Sequence, residues 1–323
     1  MTESIFPNLI VILGPTASGK TTLAVDLARW LDSHHGVTSE ILSADSRQVY
    51  RGMDLGTGKD REEFTKGGKP IPCHLIDLVD PDYEFNLFEY QRAFYRVFDD
   101  IRKRGVLPVL VGGTGLYIEA VTKKYDLPEA LGESAESRIE ELMGFGMDFL
   151  RKRFFELRNE PPHNVTDLEE KTRLVRAIVI EEQRLSHSGG RRSDDAALTP
   201  FIVGIRAERT LLRRLIRRRL LDRIERGLID EVKNLYEGGI SWRRLDSLGL
   251  EYSYVSRHLQ GELSRGDMVE MLSVKIGQFA KRQETWFRRM ERRGALIHWI
   301  DLGDFNALRV LVERQLFGAD SHD

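Results

Sequence analysis

The sequence predicts an α/β protein in which an open parallel sheet is flanked by helices and interrupted by a helical insertion. Three observations predict it. An apolar, β-branched run ends at a glycine turn that leads straight into an amphipathic stretch; further apolar runs alternate with helical stretches as far as residue 122; and residues 123–199 are charged, helical in pattern and without a convincing strand. The expected organisation is a core of residues 1–122 and 200–323 carrying a helical insertion of residues 123–199.

Residues 8–13 (NLIVIL) form the continuous apolar run of a strand buried on both faces, and Gly14-Pro15 stops it. From Lys20 the period changes: Leu23, Leu27 and Leu31 recur every four residues, which predicts one amphipathic helix. Residues 41–44, 75–79 and 106–111 supply further strands, and residues 87–103 a helix. Within the insertion, Pro161-Pro162, the polar stretch 186–195 and its Gly-Gly-Arg-Arg loop at 189–192 break the pattern. Residues 201–205 (FIVGI) return as a strand, the chain is then mostly helical to about Arg293, and a polar tail occupies residues 319–323.

Composition narrows the classes of function. With 323 residues, 41% hydrophobic and 31% charged, the chain can bury a packed core. Its 49 basic and 51 acidic residues give a net charge of -2, so only a local basic surface could recognise nucleic acid. The single cysteine, Cys73, excludes an internal disulfide and any all-cysteine zinc site, and it suggests a reducing compartment. No apolar run approaches 18 residues and Leu9–Leu13 is too short for a signal-peptide core, so a cytoplasmic protein without a membrane span is expected. Nothing demands a partner chain, and a monomer is expected.

The chemistry is concentrated at strand ends. Gly14, Pro15, Thr16, Ala17, Ser18, Gly19, Lys20 and Thr21 fit G-x-x-x-x-G-K-[ST] between a strand and a helix. Glycine-permitted turns aim backbone amides inward, the helix adds its positive end, and Lys20 brings a full charge, so this P-loop binds a di- or triphosphate. Thr21 can ligate Mg²⁺ there. The fold class is therefore P-loop NTPase-like. Asp45, followed by Ser46, Arg47 and Gln48, ends the second strand, and in a parallel sheet that end shares an edge with the phosphate loop. The competing use of Asp45 or Ser46 is a helix cap. Gly112-Gly113-Thr114 ends another strand on the same edge, unless it is a plain turn. No well-supported strand ends in the second acid of a nucleotide hydrolase; Asp77 and Asp80 are weaker substitutes.

Basic residues gather late. Arg213, Arg214, Arg217, Arg218, Arg219 and Arg223 share a helical stretch, Arg173 and Arg176 lie three apart in the insertion, and Lys281, Arg282, Arg288 and Arg289 surround Trp286 and Phe287. Such interleaving suits a phosphate backbone with rings available for unstacked bases, and a solvated helical face is the alternative for each cluster. His74, His163 and His258 are isolated in sequence and receive no catalytic role.

Five ordered blocks, GPTASGKT, DSRQVYRGMDLGTGK from Asp45, HLIDLVDP from His74, VGGTGLY from Val111 and AKRQETWFRR from Ala280, closely resemble the tRNA dimethylallyltransferases. The resemblance implies transfer of a dimethylallyl group from dimethylallyl diphosphate to the exocyclic amine of the adenine on the 3′ side of the tRNA anticodon, releasing diphosphate. It assigns the diphosphate to Gly14 through Thr21 with Mg²⁺ near Thr21, leaving-group neutralisation to Arg219, proton removal to Asp45, and a place beside the reacting centre to Thr114. It assigns tRNA contacts to Asp45, Ser46, Arg47, Gln48, Arg173, Arg176, Lys281, Arg282 and Gln283, and an anticodon clamp to the insertion. Where the family usually carries Thr-Arg, this chain has Ile276-Gly277. The residues alone leave open a P-loop small-molecule kinase, prenyl transfer to free AMP and a non-catalytic RNA-binding protein.

Overall fold

The computed structural model describes residues 6–125, 127, 133–157, 171–186 and 197–318. Pro161-Pro162, His163, most of the polar stretch 186–195 and the tail 319–323 lie outside the described residues. The chain divides into two compact units, Met1–Lys123 with Ala197–Asp323, and Lys124–Ala196.

The larger unit is a six-stranded sheet: β1 (Leu9–Leu13), β2 (Ser39–Ala44), β3 (Cys73–His74), β4 (Leu107–Gly112), β5 (Pro200–Arg206) and β6 (Ile297–Asp301). Every pairing is parallel and the order is β3-β2-β4-β1-β5-β6. β1 is central, with Ile10 opposite Val109 on one side and Phe201 on the other, and all five of its residues have no exposed surface. That is why its sequence is apolar without alternation.

Helices cover both faces. Between the strands run α1 (Lys20–His35), α2 (Glu62–Thr65), α3 (Leu87–Lys103) and α4 (Gly115–Thr122). α3 starts where the sequence predicts, at a reciprocal cap in which Asn86 accepts from the Glu89 amide and Glu89 accepts from the Asn86 amide, both at 3.0 Å. On one face of the sheet Ile10, Ile12 and Val109 pack with Leu23, Leu27 and Leu31 of α1; on the other, Leu9, Val11 and Leu42 pack with Phe94, Phe98 and Ile118.

The second unit contains α5 (Glu133–Met143), α6 (Met147–Leu157) and α7 (Lys171–Ser186) around Leu142, Leu150, Phe154, Leu174 and Ile178. Arg138 grips Glu182 with two nitrogens, each at 2.9 Å, and Arg153 adds a bond at 2.8 Å. These guanidinium bonds hold the Glu182 carboxyl below the usual carboxylate range.

After β5 the first unit continues with α8 (Arg209–Glu225), α9 (Leu228–Glu237), α10 (Trp242–Ser247), α11 (Leu250–Leu259) and α12 (Arg265–Arg292), then β6 and α13 (Phe305–Phe317). A third core joins Val49, Tyr50 and Met53 to Ile216, Leu220, Leu228, Tyr252, Leu272 and Ile276, fixing these helices over the loops that follow β1 and β2.

Two strand expectations need correction. Residues 75–79 are not a strand: the β2–β3 ladder ends at His74, Val79 makes only an isolated bridge to Tyr50, and Leu75 and Asp77 adopt positive φ values of 65° and 53°. The turn brings the Asp77 carboxylate to buried Lys59, at 2.6 Å, and to Arg61, so ion pairing overrides an apolar pattern that reads as β. β6, half-buried at the sheet edge, lies beyond where the sequence reading stopped. No helix among the described residues is long and apolar enough to cross a membrane.

Candidate active site

The phosphate loop runs from the end of β1 into α1. Ala17 and Gly19 take left-handed φ values of 61° and 70°; for alanine that is a strained conformation, kept where the surroundings over-determine it. The buried Ser18 hydroxyl donates to Pro15 O at 2.8 Å, and Lys20 Nζ donates to the same carbonyl at 2.7 Å, drawing the loop into a cup. Burial of the Lys20 ammonium, reinforced by the positive charge of Arg219 and opposed by Asp45, pushes its pKa down to about 7. A cation so destabilised without an anion is poised to accept one.

Asp45 leaves the end of β2 on the same sheet edge. Its Oδ1 accepts from the Arg47 amide at 2.9 Å, a local turn that fixes the carboxylate without neutralising it. The Ser46 amide donates to the Thr114 hydroxyl at 3.2 Å, and the Thr114 amide donates to Ala44 O at 3.2 Å, so the ends of β2 and β4 are joined across one wall. Asp45, Ser46, Arg47, Thr114 and Thr16 line a single cleft. Its opposite wall comes from Leu248, Gly249, Leu250 and Tyr252, and from Ile276, Phe279 and Arg282 of α12.

α8 separates its arginines by direction. Arg213, Arg214, Arg217 and Arg218 are exposed, whereas Arg223 is buried and Arg219 half-buried. Arg219 Nη2 meets Asp60 Oδ2 at 2.5 Å, and Arg223 lies 3.7 Å from Glu251. Burial and the neighbouring Arg219 lower the Arg223 pKa to about 10, while burial raises that of Glu251 against the pull of Arg223. Both arginines press on Gly58, where a Cβ would sit 1.7 Å from Arg223 Nη2 and the φ of +67° already favours glycine.

The loop carrying Gly58 and Asp60 is held from two sides. Glu231 accepts from the Asp54, Leu55 and Gly56 amides at 2.9, 2.7 and 3.0 Å, and from the Tyr252 hydroxyl at 2.7 Å. Lys59, wholly buried, donates to Tyr50 O, Asp54 and Asp77. Asp77 is thus consumed in an ion-pair cluster, and Asp80 pairs with Arg51 at the surface; neither is the second acid of a hydrolase.

Other expected contacts sort by geometry. Lys281 and Arg282 are exposed on α12. Gln283 is buried, and Gln48 uses both ends of its amide internally, accepting from Ser43 Oγ at 2.8 Å and donating to Gly58 O at 3.0 Å. Trp286 and Phe287 are not available to stack on bases: Phe287 has no exposed surface, and the Trp286 indole donates to Glu119 under the Arg289 guanidinium, 3.7 Å from the ring centre. The 3.6-residue period puts Ala280, Gln283, Phe287 and Met290 on the inner face of α12, and interleaving in sequence becomes segregation in space. Arg176 is exposed on α7; the Arg173 side chain lies outside the described residues. His74 and His258 are tied to Glu40 and Leu263 O, and no group of three metal-binding side chains occurs among the described residues. Sequence reasoning missed Phe279, Glu251, Tyr252 and Glu231 as parts or supports of the site; of these Phe279, one helical turn before Arg282, carried a usable signal.

The IPP transferase family model matches residues 48–290, three quarters of the chain. A tRNA dimethylallyltransferase 1 from Syntrophus aciditrophicus is 52% identical over 94% of this chain and 96% of its own length. The chain belongs to the tRNA dimethylallyltransferase family. A second dimethylallyltransferase, from Geotalea uraniireducens, is 51% identical over 94% of this chain and 95% of its own. The crystal structure of a tRNA isopentenylpyrophosphate transferase from Bacillus halodurans aligns with a TM-score of 0.66 at 30% identity, covering 95% of this chain and 96% of that one. This dimethylallyltransferase is a prenyl-transferring enzyme on a P-loop scaffold.

Proposed function

We propose that the protein transfers a dimethylallyl group from dimethylallyl diphosphate to the exocyclic amine of the adenine on the 3′ side of a tRNA anticodon. The observation that carries this reading is one cleft that joins Thr16 of the phosphate loop to the Asp45 carboxylate and the Thr114 hydroxyl.

In this reading the loop from Gly14 to Thr21, with Lys20 and Arg219, holds the diphosphate through its amides other than that of Thr16, which is bonded to Gln283, and Pro15, which has none to donate. The C1–O bond of the donor breaks and its electrons pass to the departing diphosphate, whose growing charge these groups stabilise. The amine nitrogen of adenine forms the new bond to C1, and Asp45 accepts the proton it loses. Thr114 orients the acceptor beside Asp45. The base must leave its stack to enter the cleft. Exposed Lys281 and Arg282 and half-buried Arg47 supply phosphate contacts, and the unit containing Arg173 and Arg176 clamps the anticodon arm.

The Thr21 hydroxyl, half-buried at the start of α1 and without a hydrogen-bond partner among the described residues, suits Mg²⁺, which binds through few protein oxygens and the substrate's phosphates. Bound there, the ion supplies further charge neutralisation to the leaving group.

The test is a donor labelled in the prenyl group. Label entering tRNA at the adenine next to the anticodon is expected, with none entering free AMP and no phosphate transferred from ATP. Label in AMP alone, or phosphate transfer from ATP to a small acceptor, overturns the reading.

A further inference from the structure

Gln283 bridges two strand ends that the sheet leaves unconnected. The β1–β4 ladder finishes at Leu13 opposite Gly112; beyond it, Gln283 Oε1 accepts from the Thr16 amide at 2.8 Å and Gln283 Nε2 donates to Gly113 O at 2.9 Å. The side chain reaches there from α12, 170 residues from Gly113, and is only 7% exposed. A Cβ on Gly113 would stand 2.3 Å from Nε2, so the bridge closes only against glycine.

The two ends bear on different halves of the site. Thr16 belongs to the phosphate loop, and Gly113 precedes Thr114, whose hydroxyl accepts from the Ser46 amide beside Asp45. We propose that Gln283 is a positioning residue that sets the spacing between the diphosphate cradle and the Asp45–Thr114 wall, and not a residue that touches RNA. This rests on the prenyl-transfer reading of the site. Reacting atoms must be held about 3–3.5 Å apart, and a 1 Å displacement costs on the order of 100-fold in rate, so a rigid tie between the donor and acceptor walls has a direct kinetic consequence.

The residue type fits the task. A primary amide accepts at one end and donates at the other at every pH; an ionised glutamate only accepts, and methionine does neither usefully. Its neighbours make the contrast internal to α12: Lys281 and Arg282 face solvent, while Gln283 shares the inner face with Ala280 and Phe287.

The experiment compares Gln283→Met, Gln283→Glu and Lys281→Ala in the full chain. Affinities for inorganic pyrophosphate and for tRNA are measured separately, together with single-turnover transfer. Gln283→Met leaves a half-buried amide and a buried carbonyl unpaired, so pyrophosphate affinity is expected to fall about 10-fold and transfer about 100-fold, with tRNA affinity within two-fold. Lys281→Ala should do the reverse, weakening tRNA binding alone. Gln283→Glu adds a pH signature: its transfer rate relative to wild type should recover as pH falls, because the protonated carboxyl accepts and donates as the amide does. That arm also serves if Gln283→Met does not fold. A loss of tRNA affinity with pyrophosphate binding intact, unchanged affinities and rate, or a flat relative pH profile overturns the proposal. If the wild-type protein transfers nothing to tRNA, the prenyl-transfer reading fails, while the pyrophosphate arm still reports on the bridge.

Discussion

Arg219 and Asp60 meet at 2.5 Å across 159 residues of sequence, on the flank of the phosphate loop. Asp60 sits at the end of a loop whose start is bonded to Glu231, so the guanidinium beside Thr16 and Ala17 is held by a loop that is itself held. In the proposed reaction, replacing Arg219 removes a pre-placed charge from the leaving group. Arg219→Ala should lower single-turnover transfer about 100-fold while changing tRNA affinity little, as measured with tRNA saturating and donor varied.

Lys20 predicts a proton linkage. Its free-state pKa of about 7 reflects burial and Arg219, and a bound diphosphate favours the charged form, so the pKa rises in the complex. Below pH 7 the lysine is already charged. Above it, each binding event must take up a proton, and donor affinity should fall by up to about tenfold per pH unit until the pKa of the complex is passed. Calorimetry at pH 8 in two buffers of different ionisation enthalpy should register proton uptake, and Lys20→Met should abolish it.

Asp45→Asn separates chemistry from geometry. Asparagine keeps the oxygen that accepts the Arg47 amide, so the turn survives while the proposed base is lost. Transfer should drop at least about 100-fold, with tRNA affinity within a few fold. Filter binding and single-turnover assays on the same preparation check both halves.

Lys281 is exposed on α12 beside the cleft-lining Arg282. Lys281→Ala should weaken tRNA binding and reduce the slope of log affinity against log salt by about 0.7–0.9, the share of one phosphate contact. A titration across three salt concentrations measures it.

Glu231→Ala should destabilise the fold and the site together. Three backbone amides and the Tyr252 hydroxyl lose one carboxylate, at a cost of about 2 kcal/mol given that Glu231 is half-buried. The melting temperature should fall, and the KM for the donor should rise more than that for tRNA.

Much of this was legible in the sequence because it depends on neighbours in the chain. The β1–loop–α1 unit, the helix over residues 87–103 and the strand ends carrying Asp45 and Thr114 follow from hydrophobic period, glycine placement and the shared edge of a parallel sheet. The order of the five blocks identified the family for the same reason. Residues 75–79 misled because an apolar pattern does not reveal that Lys59 and Arg61 will claim Asp77.

Which side chains face one another was decided only by tertiary structure. Arg219 and Gly58, Glu231 and the amides from Asp54 to Gly56, and Gln283 with Thr16 and Gly113 are separated by more than 150 residues, and no local period encodes those encounters. The sequence announced a basic, aromatic stretch around Trp286; helix geometry divided it, turning Phe287 and Gln283 inward and Lys281 and Arg282 outward. Chemistry available in the chain is thus a property of residue type and spacing. Chemistry realised in the cleft depends on burial, which shifts the Lys20 proton and leaves buried polar groups stable only where a distant partner completes their hydrogen bonds.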